Sequence, residues 1–249
     1  MLTELFLRGR LRHDLSHDER AALEATAGRT IRLGPRETLV RRGDRLEYSY
    51  FIVEGTMLRH LDDKKGERQL LGVNVQGDFV DLHGYAMKRL DHHVGTLTET
   101  VVAQFAHSDL TRLIADWPHL GRAMWFSTLL DAAQHREWIF RLGRLHAEGR
   151  IAHLICELIE RLRLIGQYDG QSLPIPLLQR DYAEACGITP VHANRSFRNL
   201  RERGLLKPHG DGQIEILDEQ GLRVIGEFDP SYLYGEGELA LDGLKDDGA

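Results

Sequence analysis

Only two of the 249 residues are cysteines, Cys156 and Cys186. Two thiols cannot supply a disulfide framework, and an iron–sulfur cluster takes about four cysteine ligands, so neither is expected. Both cysteines fall inside apolar helical patterns and are expected as small buried hydrophobes, with a reducing cytoplasm as their setting. No apolar run approaches the ~20 residues that span a bilayer, so no membrane partner is expected. The opening residues, MLTELFLRGRLRHD, lack the pattern of a secretory leader. A P-loop, a Gly-x-Ser-x-Gly and a His-Glu-x-x-His are also missing, and no catalytic residue is assigned.

A surplus of positive charge is missing as well. The formal net charge is −6, which is the wrong sign for a chain that holds phosphates. The distribution changes that conclusion. Residues 227–249 carry seven acidic side chains and one lysine, whereas residues 189–203 carry four arginines and one glutamate. The local field of the second segment is positive. A composition of 42% hydrophobic and 28% charged residues is that of an ordinary globular chain, long enough for one large or two smaller domains.

Ser16-His17-Asp18-Glu19 has the form of a capping box opening a short helix with Leu23 inward. From Ile31 the pattern becomes strand-like and is punctuated by Gly43, Gly55, Gly66 and Gly77. Short runs such as Tyr50-Phe51-Ile52-Val53 between such turns predict an all-β barrel or jelly-roll-like sandwich, with a further strand pair over residues 95–100 and 101–106. A short helix follows over residues 108–115. Pro118 then starts a longer one, reaching about Arg141 or Leu142 and roughly 36 Å long, which Gly143 is expected to end. Its stripe of Leu120, Met124, Phe126, Leu130, Ala133, Trp138 and Phe140 is wide enough to pack on the β domain and on a second copy. Residues 146–165 form a clean amphipathic helix through Ile151, Leu154, Ile155, Leu158, Ile159 and Leu162.

Residues 177–208 predict two short helices joined by a tight turn. Leu178, Tyr182 and Ala185 make the apolar face of the first. Gly187 suits the left-handed bend, Thr189 an N-cap and Pro190 the first helical position. On the second helix, Ala193, Phe197 and Leu200 share the core side. Val191, Arg195, Arg198 and Glu202 lie opposite, flanked by His192 and Asn194. A small inward residue beside exposed arginines suits a helix laid in a DNA major groove. Two short strands around His209-Gly210-Asp211-Gly212 then complete a winged helix.

This order resembles the Crp/Fnr family of bacterial transcription regulators over residues 11–228. The marks are the glycine-punctuated β-roll, Gly77-Asp78-Phe79, Leu142-Gly143-Arg144-Leu145 with Glu148 and Arg150, and the run from Gly187 to Arg195. The resemblance implies an α+β fold. An N-terminal β-roll (jelly-roll-like) effector domain would occupy residues 1–117 and a dimerisation helix residues 118–143. A winged helix-turn-helix would occupy residues 144–218, followed by an extension, residues 219–249. The composition of the extension has two readings: its aromatic part docks on the winged helix while its acidic end is disordered, or the acidic end competes with DNA for the basic helix. The resemblance also implies a homodimer that binds double-stranded DNA at half-sites about 34 Å apart and works with RNA polymerase. Arg195 matches the family's guanine-reading arginine. Val191 stands where many members carry a base-reading glutamate and could only pack on a thymine methyl. Asn194 and His192 are further candidates for base contact. Gln179, Arg180, Thr189 and Arg198 are candidates for phosphate contact.

Members that bind cyclic nucleotides carry a Gly-Glu pair after the turn and an Arg-Ser or Arg-Thr pair further on. Here the first stretch is Val80-Asp81-Leu82-His83 and the second Arg89-Leu90-Asp91-His92-His93, so no cyclic nucleotide is expected. An unknown small-molecule effector would meet Asp81, Arg89 and His92. Thirteen histidines include His60, His83, His92, His93 and His107 in the β-roll. Because His92 and His93 are adjacent on a strand, they should face opposite ways, and scattered histidines without a metal are the expectation. Two alternatives stand beside the regulated one: a regulator that binds DNA without any ligand, and a β-roll metalloenzyme of cupin type, whose His-x-His the chain lacks.

Overall fold

Glycine shapes the turns of the N-terminal half. Gly43, Gly55, Gly66 and Gly77 have φ of +88°, +90°, +82° and +90°, the left-handed region that side chains resist. At Gly55 a Cβ would lie 2.4 Å from the carbonyl oxygen of Glu99, so the turn also needs the missing atom. The structure, a computed structural model, describes residues 1–10, 15–210 and 212–234.

After α1 (His17–Thr26), seven strands follow: β1 (Thr30–Leu33), β2 (Thr38–Val40), β3 (Tyr48–Glu54), β4 (Met57–Asp62), β5 (Arg68–Asn74), β6 (His93–Thr96) and β7 (Thr100–Ala106). A short helix, α2 (His83–Met87), precedes β6. Two antiparallel sheets result, ordered β1-β7-β3 and β2-β6-β4-β5. The expected pair over residues 95–106 is therefore not a pair: β6 and β7 lie in different sheets, and the chain crosses between layers at residues 97–99. Alternation cannot reveal that crossing, because both strands bury residues against the same core. Ile52, Met57, Val80, Val94 and Val102 fill one core of this half. Phe6, Phe51, Phe79 and Phe105 form a second, with the rings of Phe51 and Phe105 each 5.1 Å from Phe79 in edge-on contact.

The capping box of α1 is present: Ser16 accepts from the Glu19 N–H at 3.2 Å and Glu19 accepts from the Ser16 N–H at 2.8 Å. Next come α3 (His107–Asp116) and the long α4 (Pro118–Arg144), whose 27 residues span about 40 Å. Gly143 does not end α4. Among the described residues nothing lies within 4 Å of where its Cβ would be, so it is tolerated as an exposed helical glycine at a cost of about 1 kcal/mol relative to alanine. Leu145, extended at φ −85° and ψ 149°, makes the break instead.

The rest comprises α5 (Ala147–Leu164), β8 (Ser172–Leu173), α6 (Gln179–Cys186), α7 (Pro190–Glu202), β9 (Leu206–Pro208), β10 (Ile214–Ile216), α8 (Glu219–Ile225) and α9 (Ser231–Tyr234). The wing has a third strand that hydrophobic pattern did not suggest, giving the order β8-β10-β9. A continuous apolar core joins α5, α6 and α7 to Leu58, Leu70, Val73 and Val75 of the β-roll, so the halves share an interior. On α5, Arg161 donates to the Val73 carbonyl at 2.6 Å and pairs with Asp78 of the Gly-Asp-Phe turn. The aromatic end of the extension docks on α5 and α4. Tyr232 donates to the buried Glu157 carboxylate at 2.8 Å, and Trp138 of α4 donates to the same group at 3.0 Å. The acidic end, residues 235–249, lies outside the described residues.

Candidate nucleic-acid interface

The turn between α6 and α7 takes the form that its residues dictate. Gly187 has φ +58°. Thr189 accepts from the His192 N–H at 3.3 Å, and Pro190 is the first residue of α7, where no N–H is needed. Ala193, Phe197 and Leu200 are buried, with Phe197 edge-on to Tyr182 of α6 at 4.9 Å. Ser196 is buried with them, which the apolar pattern did not show. Tyr182 and Ala185 form the inner face of α6, but Leu178 does not join them. It is the N-cap residue and is 39% exposed.

The opposite face of α7 is free. Val191, His192, Asn194, Arg195, Arg198 and Glu202 are all exposed, Val191 at 77%. A valine that exposed does no packing in this chain, so its position is open to whatever α7 meets. Gln179, Arg180 and Thr189 are exposed beside it. Asn194 donates to the Gln179 side chain at 3.1 Å, which links the start of α6 to α7 in one polar surface.

The scaffold holds this pair of helices at both ends. Arg141 of α4, wholly buried and 4.2 Å from the Trp138 ring, donates to the Ala185 carbonyl at 3.1 Å. Arg150 of α5 donates to the Cys186 carbonyl at 3.0 Å and to Leu145 at 2.8 Å. Two guanidinium groups thus satisfy the C-terminal carbonyls of α6, where cations are favoured. Glu148 accepts from Asn199 of α7 at 2.6 Å. At the other end, Asp181 accepts from the Leu178 N–H at 2.8 Å and from Arg36 of the β-roll at 2.7 and 2.6 Å.

Sequence profiles match this architecture. One, described as a Crp-like helix-turn-helix domain, matches residues 149–225, and another, described as a cyclic nucleotide-binding domain, matches residues 30–116. The chain is 28% identical over 192 residues to the nitrogen fixation regulation protein FixK of Bradyrhizobium diazoefficiens, covering 77% of this chain and 79% of that one. It is 26% identical over 189 residues to the transcriptional activator protein FnrL of Cereibacter sphaeroides, covering 73% and 74%. The solved structure of FixK2 from Bradyrhizobium japonicum shares the fold, with a TM-score of 0.72 at 21% identity over 79% of this chain and 96% of that one. The chain belongs to the Crp/Fnr family.

In the β-roll, the three residues expected to meet an effector lie in three different settings. Asp81 is wholly buried and accepts from the Tyr50 N–H at 2.8 Å, and burial pushes its carboxyl up to about 8. Arg89 is exposed and donates to the Gly43 carbonyl at 2.6 Å. His92 is buried and meets Asp91 and His83 instead. Its Nδ1 is 2.7 Å from Asp91 Oδ1, and its ring lies 5.3 Å from that of His83. His93, the first residue of β6, takes another direction and stacks on His60 at 5.0 Å, whereas His92 lies in the bend before the strand. Burial holds the His83 imidazole down to about 4 and also lowers that of His92. Beside them Arg59 of β4 donates to Asp131 of α4 at 2.7 Å, with a second, shorter contact between the same groups. No helix of the described residues is long and apolar enough to cross a membrane.

Proposed function

We propose that this Crp/Fnr regulator works in the cytoplasm as a homodimer that binds a two-fold-related promoter site and contacts RNA polymerase. The exposed face of α7 carries the reading. Arg195 suits bidentate recognition of guanine O6 and N7, Val191 suits a thymine methyl, and Asn194 and His192 stand beside them. Gln179, Arg180, Thr189 and Arg198 surround these residues and suit phosphate contacts, which fix register without reading sequence. FnrL, a transcriptional activator protein, and FixK, a nitrogen fixation regulation protein, agree with this use.

Dimerisation through α4 is supported by the apolar side chains it leaves uncovered. Trp125, Leu129, Ile139 and Phe140 are 60%, 43%, 71% and 41% exposed. They lie opposite Leu120, Met124 and Leu130, which face the β-roll or its core. An uncovered apolar face of this size on a soluble chain calls for a partner, and a two-fold axis puts the same face of a second copy on it. DNA affinity is then set through the β-roll, by an effector that acts where α4 leaves it.

A band-shift comparison tests the reading. Arg195→Ala should lose preference for the specific duplex, at a cost of about 1–3 kcal/mol. Unchanged preference in that variant would remove the assignment.

A further inference from the structure

His83, Asp91 and His92 bring two imidazoles and a carboxylate together at the end of the β-roll that faces α4. One ligand atom of each lies within 4.8 Å of the others. We propose that these residues bind a first-row divalent transition-metal ion, and that this ion is the effector. The second half rests on the regulatory reading above, whereas the first stands without it.

The donor types select the ion. Imidazole nitrogen suits zinc and iron, whereas calcium and magnesium take sets of oxygen ligands that this cluster lacks. Metal–nitrogen and metal–oxygen bonds of about 2.1 Å in a tetrahedron place ligand atoms about 3.4 Å apart, so closing on an ion needs shifts on the order of 1 Å. A second observation points to a ligand. Among the described residues nothing bonds the Nε2 atom of His92, which is buried in a residue only 6% exposed. A buried nitrogen without a hydrogen bond is costly unless something fills the position. Asp91 Oδ1 now lies 2.7 Å from the Nδ1 atom of the same ring, so the carboxylate exchanges that contact for the ion when it becomes a ligand.

Asp91 supplies a carboxylate at the cluster itself, and Arg59 beside it is paired with Asp131, which offsets part of its positive charge. The same pair supplies the link to the dimer helix. Asp131 and His135 belong to α4, 3.8 Å apart, and the charges of Asp131 and Arg59 act on both His83 and His92. Two added positive charges at the cluster attract Asp131 and repel Arg59. This weakens the tie between β4 and α4, the helix that carries Trp125, Leu129 and Ile139.

The test uses the full chain after dialysis against chelator. Calorimetric titration with Zn²⁺, anaerobic titration with Fe²⁺ and visible spectra with Co²⁺ should show one ion per chain. Asp91→Asn, which replaces a charged ligand oxygen by a neutral one, should bind at least about tenfold more weakly. His83→Gln should lose stoichiometric binding, while His93→Gln, as a control, should bind as the parent does. Circular dichroism of each variant separates loss of a ligand from loss of fold. No stoichiometric binding of any of the three ions, or full affinity in both folded variants, would overturn the site. In a band shift, the ion should change parental DNA affinity at least tenfold and leave His83→Gln unmoved. Binding without that change would overturn the effector role alone. Failure of every form to bind DNA would overturn the regulatory reading while leaving the metal result intact.

Discussion

Arg36 of the β-roll donates both terminal guanidinium nitrogens to the carboxylate of Asp181, 145 positions further along the chain, at 2.7 and 2.6 Å. Asp181 is 1% exposed and also caps α6. The β-roll therefore holds α6, the first helix of the helix-turn-helix pair, by a bidentate bond, the strong form of charge-assisted contact. Arg36→Ala would leave that carboxylate buried with only backbone donors. The expected loss is about 1–3 kcal/mol in urea denaturation. An unchanged midpoint would mean that the pair is incidental.

Much of this arrangement was legible because it depends on neighbours in sequence. Gly187, Thr189 and Pro190 each perform the local task that their backbone chemistry suits, and so does Ser16 with Glu19. The inward and outward faces of α7 follow from a 100° step alone. What sequence did not show depends on distant partners. Arg36 meets Asp181, and Arg59 meets Asp131, only because the halves pack together. His83 comes to His92 because Lys88 closes α2 in the left-handed region at φ +62°, a place where glycine is the usual signal and none stands. Arg89 bonds to the Gly43 carbonyl, a contact that nothing local in the sequence signals.

Self-association should depend on the outer face of α4. Leu129→Glu and Ile139→Glu change exposed side chains and should leave the monomer folded. Sedimentation should show conversion from dimer to monomer. Affinity for a two-half-site duplex should fall about 10²–10⁴-fold, the advantage that simultaneous engagement provides. A dimeric variant with parental affinity would move the interface elsewhere.

Base-reading and phosphate-holding residues should separate in competition binding. Val191→Ala should relax thymine preference at one position of each half-site and leave the others alone. Arg180→Ala should weaken specific and non-specific duplexes alike and reduce the salt dependence by about one counterion. A sequence-dependent effect of Arg180→Ala would reverse the assigned roles.

Acid should loosen the C-terminal half through His153. This side chain is wholly buried on α5, with Nδ1 2.9 Å from the Gly226 carbonyl, and burial lowers its pKa below the ordinary histidine value. The unfolded chain gains the proton first as pH falls. The stabilisation is thus complete above about pH 6.5 and is lost toward the lower folded-state value, with a slope of at most about 1.4 kcal/mol per pH unit. His60, held down to about 4 by burial, acts in the same direction. Asp81, pushed up to about 8, acts in the opposite direction over this range, so the contribution of His153 is read as the change that His153→Gln makes to the difference between denaturation at pH 5 and at pH 7.5. Equal differences in parent and variant would exclude His153 as a source.

Selection of bound sequences from random duplex DNA tests the central claim most directly. The account predicts enrichment of a two-fold-related site with half-sites about one helical turn apart, a guanine in each that depends on Arg195, and a thymine opposite Val191. Recovery of no enriched sequence, or of a single unrepeated element, would contradict it.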